Sequence, residues 1–245
     1  MATIRDVARR ADVSVATVSR YLNGAQLRED NRVRIAEAIE ELGYQPNIIG
    51  RAFATAHSYT VGILISSATN PFAASLMGLV EHELERLGYA AVFVEYQGDA
   101  DFLREKVEFL QMHQVDGLIV VLSELAPASV EFLREVVVPL VLIDNPLVGS
   151  SADSIVVDNC DAVRKAVGAM LDAGHERVGL VSMQQISYVG IERSRGWRLA
   201  HEDRGLPVPE ELVRFCDSVK EAAAQATSEL LSAGATAVFA CNHYL

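Results

Sequence analysis

The first 24 residues constrain this chain most, because a short helical pattern occurs twice across a tight turn. Apolar residues recur at helical spacing in residues 4–11 and again in residues 15–22. Thr3 and Ser14 precede the two segments, where their hydroxyls can cap a helix. The second segment keeps small and basic side chains on its other face: Ala16, Thr17, Ser19 and Arg20. The pattern predicts a helix-turn-helix, whose second helix enters the DNA major groove.

Two helices this short cannot form a core alone, so a third helix is needed. Apolar residues at helical spacing predict it over residues 31–42, and Gly43 ends it. An ordinary helical hairpin with a basic surface remains the alternative, because helix-turn-helix spacing is easily mimicked.

The charge is divided unevenly along the chain. Residues 1–28 contain five arginines and two aspartates and carry a net charge of +3, whereas the whole chain carries −12 and the remainder −15. Positive charge therefore lies where contact with phosphates is expected, and the acidic remainder is repelled by DNA. A solvated acidic surface that aids solubility explains the remainder equally well.

The length of 245 residues suits two or three domains. No run of eighteen apolar residues occurs, which predicts no membrane span, and the N-terminus has no secretory pattern. Three cysteines lack the spacing of a metal site, so we expect reduced core thiols in a cytoplasmic protein: Cys160, Cys216 and Cys241.

From Tyr59 onward, short apolar runs alternate with helical segments, which is typical of a doubly wound α/β fold. The predicted strands are 61–65, 90–94, 117–122, 140–143, 178–181 and 237–240. The predicted helices are 72–87, 101–113, 128–136, 160–173, 189–204 and 218–233. A second set of elements starts near residues 155–157, so we expect two α/β lobes with a cleft at the carboxyl ends of their strands.

Three motifs resemble the lactose-repressor/galactose-repressor (LacI/GalR) family. They are Ile4-Arg5-Asp6-Val7-Ala8, Val13-Ser14-x-x-Thr17-Val18-Ser19-Arg20 and Gly43-Tyr44-Gln45-Pro46-Asn47. The resemblance implies a helix-turn-helix headpiece (1–46), a hinge (47–58) and a periplasmic-binding-protein-like α/β domain (59–245) with lobes of about 59–150 and 151–245. Members of the family continue beyond this length, so the second lobe is expected to be incomplete.

The resemblance assigns DNA contacts on the second helix. Val15, Ala16 and Arg20 match positions that read bases, and a guanidinium suits the O6 and N7 atoms of guanine. Phosphate contacts are assigned to the three hydroxyl side chains of the same segment: Ser14, Thr17 and Ser19.

In the family, the hinge becomes helical when a dimer binds DNA, and paired hinge helices enter the minor groove. Asn47 and Arg51 fit this pattern, and Phe53 stands where a leucine usually wedges between base pairs. Gly50 replaces a usual alanine and weakens an isolated helix by about 1 kcal/mol. The alternative is an apolar linker packed on a lobe.

The resemblance also assigns an effector site in the cleft, formed by Phe72, Asp144, Asp158, Arg193 and Asn242. Carboxylates and a guanidinium facing one cleft suit hydroxyl-rich sugars or similar metabolites. Two departures weaken this assignment: Ala73 replaces a second aromatic residue, and His243 replaces an aspartate. Phe72 alone would more often be a core residue.

These observations favour a transcriptional regulator that binds double-stranded operator DNA as a homodimer and responds to a small-molecule effector. A solute-binding protein without DNA function is the alternative, but residues 1–46 argue against it. An enzyme has no supporting catalytic constellation, and no cofactor motif is present.

Overall fold

The structure is a computed structural model that describes residues 2–22, 24–45, 57–122, 125–183, 187–216 and 220–242. The chain divides into two compact units, Met1–Ser58 and Tyr59–Leu245. None of the helices in the described ranges is long and apolar enough to cross a bilayer.

The first unit contains the predicted three-helix arrangement. Its helices are α1 (Ile4–Arg10), α2 (Val15–Leu22) and α3 (Glu29–Leu42), the last beginning two residues earlier than predicted. Residues from all three helices form one buried core: Val7, Ala8, Ala11, Val18, Ile35 and Ala38. The packing of α3 against the other two therefore stabilises elements that are too short to fold alone.

Side chains at the helix starts explain where α1 and α2 begin. Thr3 and Asp6 form a capping box, in which each side chain bonds the backbone N–H of the other residue. The hydrogen bond from Thr3 holds the pKa of Asp6 below its ordinary value of 3.8. Ser14 Oγ accepts the Thr17 N–H at 3.1 Å, which confirms the second predicted cap. Gly43 ends α3 at φ +55°, a conformation that glycine adopts without strain.

The second unit begins with a five-stranded parallel sheet in the order β2-β1-β3-β4-β5. Its strands are β1 (Thr60–Ile65), β2 (Ala90–Glu95), β3 (Gly117–Val121), β4 (Leu140–Ile143) and β5 (Asp153–Ile155). The connecting segments contain α4 (Pro71–Arg86), α5 (Ala100–Met112) and a 3₁₀ helix (Pro127–Glu135). Clusters of buried aliphatic residues pack these helices against the sheet, as expected for a doubly wound fold.

A three-stranded parallel sheet in the order β7-β6-β8 follows. It comprises β6 (Val178–Ser182), β7 (Val213–Phe215) and β8 (Ala237–Ala240), with α6 (Asn159–Asp172), α7 (Tyr188–Glu202) and α8 (Lys220–Ser232). Trp197 of α7 is fully buried and donates its indole N–H to the carbonyl of Val178 at 2.9 Å. We call the regions around the five- and three-stranded sheets lobe 1 and lobe 2.

Three details differ from the sequence-based expectation. Residues 128–136 were predicted as an α-helix, but the segment is the 3₁₀ helix, which starts at Pro127 and precedes a run of β-branched valines. Residues 155–157 were predicted to open lobe 2, but Ile155 pairs with Ile143 as the end of β5 in the first sheet. The sequence reading also missed β7, because three residues carry no recognisable alternation.

Candidate functional site

The outer face of α2 presents the residues that were predicted to read bases. Val15, Ala16 and Arg20 are exposed, whereas Val18 on the opposite face is completely buried. Thr17 and Ser19 are half-buried, and Ser14 is exposed. The helix therefore buries one stripe and leaves the predicted base-reading residues accessible.

The arginines of the first unit differ in whether they form ion pairs with carboxylates. Arg9 and Arg10 form ion pairs with Asp6 and Glu41. Within the described residues, Arg5, Arg20 and Arg28 form none, and Arg20 reaches only the carbonyl of Gln26 at 3.5 Å. Their charges are available to phosphates or bases. The predicted hinge contacts lie outside the described residues: Asn47, Arg51 and Phe53.

A cavity of about 580 Å³ lies between the two lobes of the second unit, at the carboxyl ends of both parallel sheets. This edge is where open α/β sheets bind ligands. Four of the five predicted effector-site residues line it: Phe72, Asp144, Arg193 and Asn242.

Lobe 1 contributes residues that follow its first and fourth strands. Asn70 caps α4 by accepting the N–H groups of Phe72 and Ala73 at 2.9 and 3.3 Å. Phe72 lines the cavity and is 43% exposed. Asp144 follows β4 at φ +66°, and its N–H bonds the carbonyl of Ile155 at 3.0 Å. A non-glycine residue in this conformation is strained, and such residues cluster at functional sites.

Lobe 2 contributes a hydrogen-bonded wall around Arg193. The guanidinium donates to Asn159 Oδ1 at 2.8 Å and to the carbonyl oxygen of Cys241. Asn242 Nδ2 lies 3.4 Å from the sulfur of Met183. These contacts connect α6, α7 and the residues after β6 and β8 into one surface.

Asp158 is the exception among the predicted effector residues. It is exposed, it is absent from the cavity lining, and its carboxylate accepts the Asp161 N–H at 2.9 Å as the N-cap of α6. The next residue, Asn159, faces the cavity instead. Sequence reasoning also missed Ser182 and Ser187, although one ends a strand and the other caps a helix at the edge where such sheets bind ligands.

We expect Asp158→Ala to lower the free energy of unfolding of lobe 2 by about 1 kcal/mol, because α6 loses its cap. Asp158→Asn is the matched control, since asparagine caps as well as aspartate, and we expect it to retain most of the stability. Urea unfolding followed by the fluorescence of Trp197 measures both. Equal losses in the two variants would contradict a capping role.

The side chains that line the cavity are suited to binding a ligand and not to catalysis on it. Burial raises the pKa of the Cys241 thiol above its ordinary 9.0, so the thiol remains protonated and weakly nucleophilic. The described ranges contain no cluster of His, Cys, Asp or Glu that could hold a metal ion. Hydrogen-bonding groups of both lobes face one space, as in a site for a polar small molecule.

Comparison with family models agrees with both units. Residues 3–47 match the model described as bacterial regulatory proteins, lacI family. Residues 58–244, well over half of the chain, match periplasmic binding proteins and the sugar binding domain of the LacI family. The chain belongs to the LacI family of bacterial regulatory proteins.

Two curated relatives of this LacI-family chain are repressors by name. The ribose operon repressor of Haemophilus influenzae is 29% identical over 245 residues, which are 99% of this chain and 74% of that protein. The HTH-type transcriptional repressor PurR of Aliivibrio fischeri is 30% identical over 234 residues, covering 95% of this chain and 69% of the relative.

Solved structures agree with the LacI-family fold. A lac repressor dimer bound to operator and the anti-inducer ONPF has a TM-score of 0.84 at 24% identity, covering 98% of this chain and 73% of that one. A complex of the transcriptional regulator CelR with cellobiose has a TM-score of 0.66 at 27% identity, covering 98% and 74%. The helix-turn-helix unit and the two-lobe α/β unit are therefore the family fold.

Proposed function

We propose that this chain is a transcriptional repressor whose affinity for a pseudo-palindromic operator is controlled by a small molecule bound between its lobes. The observation that carries the proposal is the presence, in one polypeptide, of an exposed recognition-helix face and a polar cavity between two α/β lobes. A solute-binding protein without DNA function would not require an exposed recognition-helix face.

On DNA, Arg20 reads a guanine in the major groove, and Val15 and Ala16 pack against thymine methyl groups. Arg5 and Arg28 form no ion pair with any residue that the structure describes, so their charges favour contact with phosphates, which position the unit without specifying sequence. The hydroxyls of Ser14, Thr17 and Ser19 add further phosphate contacts. Asn47, Arg51 and Phe53 bind the minor groove as a hinge.

A pseudo-palindromic operator requires a homodimer, and the second unit has a surface that suits it. Exposed apolar side chains lie on α4 and on β2, which is the edge strand of the first sheet. Leu79 is 70% exposed, and Val92 lies on the edge strand itself. Apolar surface of this kind marks protein interfaces, and we assign it to a second copy of the chain.

The effector is a sugar or a related polar metabolite, bound by Asp144, Arg193 and Asn242 with Phe72 against its apolar face. The effector acts by binding one arrangement of the two lobes more tightly than the other. It changes operator affinity only as far as its binding affinities for the two arrangements differ. The regulator acts at DNA within the nucleoid, without catalysis.

Titration of the chain with operator-like and random duplexes across a salt series tests the proposal. We expect the logarithm of the binding constant to fall linearly with the logarithm of the salt concentration, because phosphate contacts release counterions. A selected two-half-site duplex should bind two copies, and a single half-site should bind more weakly. Absence of a salt slope, or equal affinity for every duplex after selection, would overturn the assignment.

A further inference from the structure

One wall of the cavity is the N-terminal turn of α7. Val189, Gly190 and Arg193 all line the cavity, because residues three and four apart lie on the same face of a helix. Ser187 caps this helix by accepting the Gly190 N–H at 3.1 Å and lines the same space. The positive end of the helix dipole therefore faces the cavity.

The three helices that start at the cavity differ in how this positive end is compensated. The first turn of α6 carries Asp161, and Asp158 caps it, so carboxylates neutralise that terminus. The first turns of α4 and α7 contain no acidic residue, and their caps are the neutral Asn70 and Ser187. The 15-residue α7 has no carboxylate in its cap or first turn, and Glu192 of its second turn is paired with Arg195, so its N-terminus favours negative charge.

Arg193 adds a full positive charge beside the same turn. Its partners, the amide oxygen of Asn159 and the carbonyl of Cys241, are neutral. Within the described residues, the side-chain contacts of Arg193 are these two neutral oxygens, and it forms no ion pair. A guanidinium has five N–H donors in a fixed fork, so donors remain for a ligand.

A buried hydroxyl completes the floor of this region. Ser182, the last residue of β6, is fully buried and lines the cavity. Among the residues that the structure describes, no nitrogen or oxygen atom hydrogen-bonds its Oγ, and the Cys241 thiol is its polar neighbour. A buried hydroxyl without such a partner is costly, and an acceptor on a ligand would satisfy it.

We propose that the effector carries an anionic group, a carboxylate or a phosphate ester, which binds between Arg193, the N-terminal turn of α7 and Ser182. This inference rests on the proposed function, because it names the chemical class of the ligand of the same cavity. Asp144 then faces the neutral hydroxyl end of the ligand, since its carboxylate would repel a second anionic group.

Inorganic phosphate is the first probe, with sodium chloride at equal ionic strength as the reference. Thermal unfolding of the whole chain, followed by Trp197 fluorescence, should show a stabilisation by phosphate beyond that of chloride. Arg193→Gln should weaken the apparent affinity for phosphate at least about tenfold, the usual effect of losing a hydrogen bond to a charged group. Arg198 lies on the same helix but is paired with Glu210, so Arg198→Gln is the matched control and should retain the affinity for phosphate.

Matched ligands then identify the anionic group. Calorimetry compares glucose, gluconate and glucose 6-phosphate, so the two charged arms distinguish a carboxylate from a phosphate ester. At least one charged ligand should bind at least about tenfold more tightly than glucose, and Arg193→Gln should abolish this preference.

The proposal of an anionic group would be overturned by equal binding of charged and neutral ligands, or by a phosphate effect that is unchanged in Arg193→Gln. An absence of binding by every anionic probe would overturn it as well. Operator titration of the same preparations is the separate readout, because loss of operator binding would refute the regulator and leave the ligand result standing.

Discussion

Gly196→Ala is expected to destabilise lobe 2 by about 3 kcal/mol or more, at the upper end of the usual cost of overpacking. A Cβ at this position would lie 2.3 Å from the carbonyl oxygen of Cys160 and 3.1 Å from the backbone nitrogen of Arg164. Both atoms belong to the backbone of α6 and cannot rotate away. Helices α6 and α7 must therefore separate, and this also moves Arg193 away from Asn159.

Trp197 is the only tryptophan of the chain and lies one residue from the substitution, so its fluorescence during urea unfolding reports lobe 2 directly. Gly78→Ala is the matched control. Gly78 also lies inside a helix, α4, but a Cβ there would meet nothing within 4 Å. We expect this control to be stabilised by up to about 1 kcal/mol, because alanine favours a helix over glycine. Similar unfolding midpoints for both variants would refute the close approach of α6 and α7.

Arg20→Ala is expected to weaken specific operator binding by about 1–3 kcal/mol, which corresponds to roughly a fivefold to 150-fold loss. Arg20 is exposed on α2 and forms no ion pair within the described residues, so its removal costs the fold little. Discrimination against substitutions at the contacted base pair should also fall, because a bidentate contact to guanine is lost. Fluorescence anisotropy with the selected operator and its single-base variants measures both effects.

Arg32→Ala is the control for the operator experiment. Arg32 is an exposed arginine of the same unit, but both of its contacting nitrogens bond Glu29, at 2.8 and 3.0 Å. Its loss should leave base preference unchanged and alter affinity by less than about 1 kcal/mol, since an exposed ion pair contributes little. Unchanged affinity and base preference in Arg20→Ala would show that Arg20 does not contact the operator bases.

Periodicity and turn residues predicted most of the fold. Strands β4 and β8 match the predicted bounds at both ends, because apolar runs between turn residues are distinctive. The three-residue strands β5 and β7 are too short to carry such a pattern. The 3₁₀ helix was predicted as an α-helix because both types share a similar apolar spacing over one or two turns.

The site was predictable where residues match the family pattern and also lie at the cavity edge of the sheets, as for Phe72, Asp144 and Arg193, which the resemblance assigned. It was not predictable at the start of α6. Asp158 and Asn159 are adjacent and both polar. The exact residue at which α6 begins decides which of them caps the helix and which faces the cavity. Patterns along the sequence locate such a helix start within a residue or two, which is the size of this error.

The link between the lobes is short where β5 passes into α6. Strand β5 ends at Ile155 and α6 begins at Asn159, so three residues connect the last strand of lobe 1 to the first helix of lobe 2. If the lobes rotate when a ligand binds, the backbone dihedrals of Val156, Val157 and Asp158 must absorb the motion at this connection. Asp158, which caps α6, would then also be a hinge residue. Asn159 follows this hinge directly, so any rotation of the lobes also moves its amide group, which contacts Arg193.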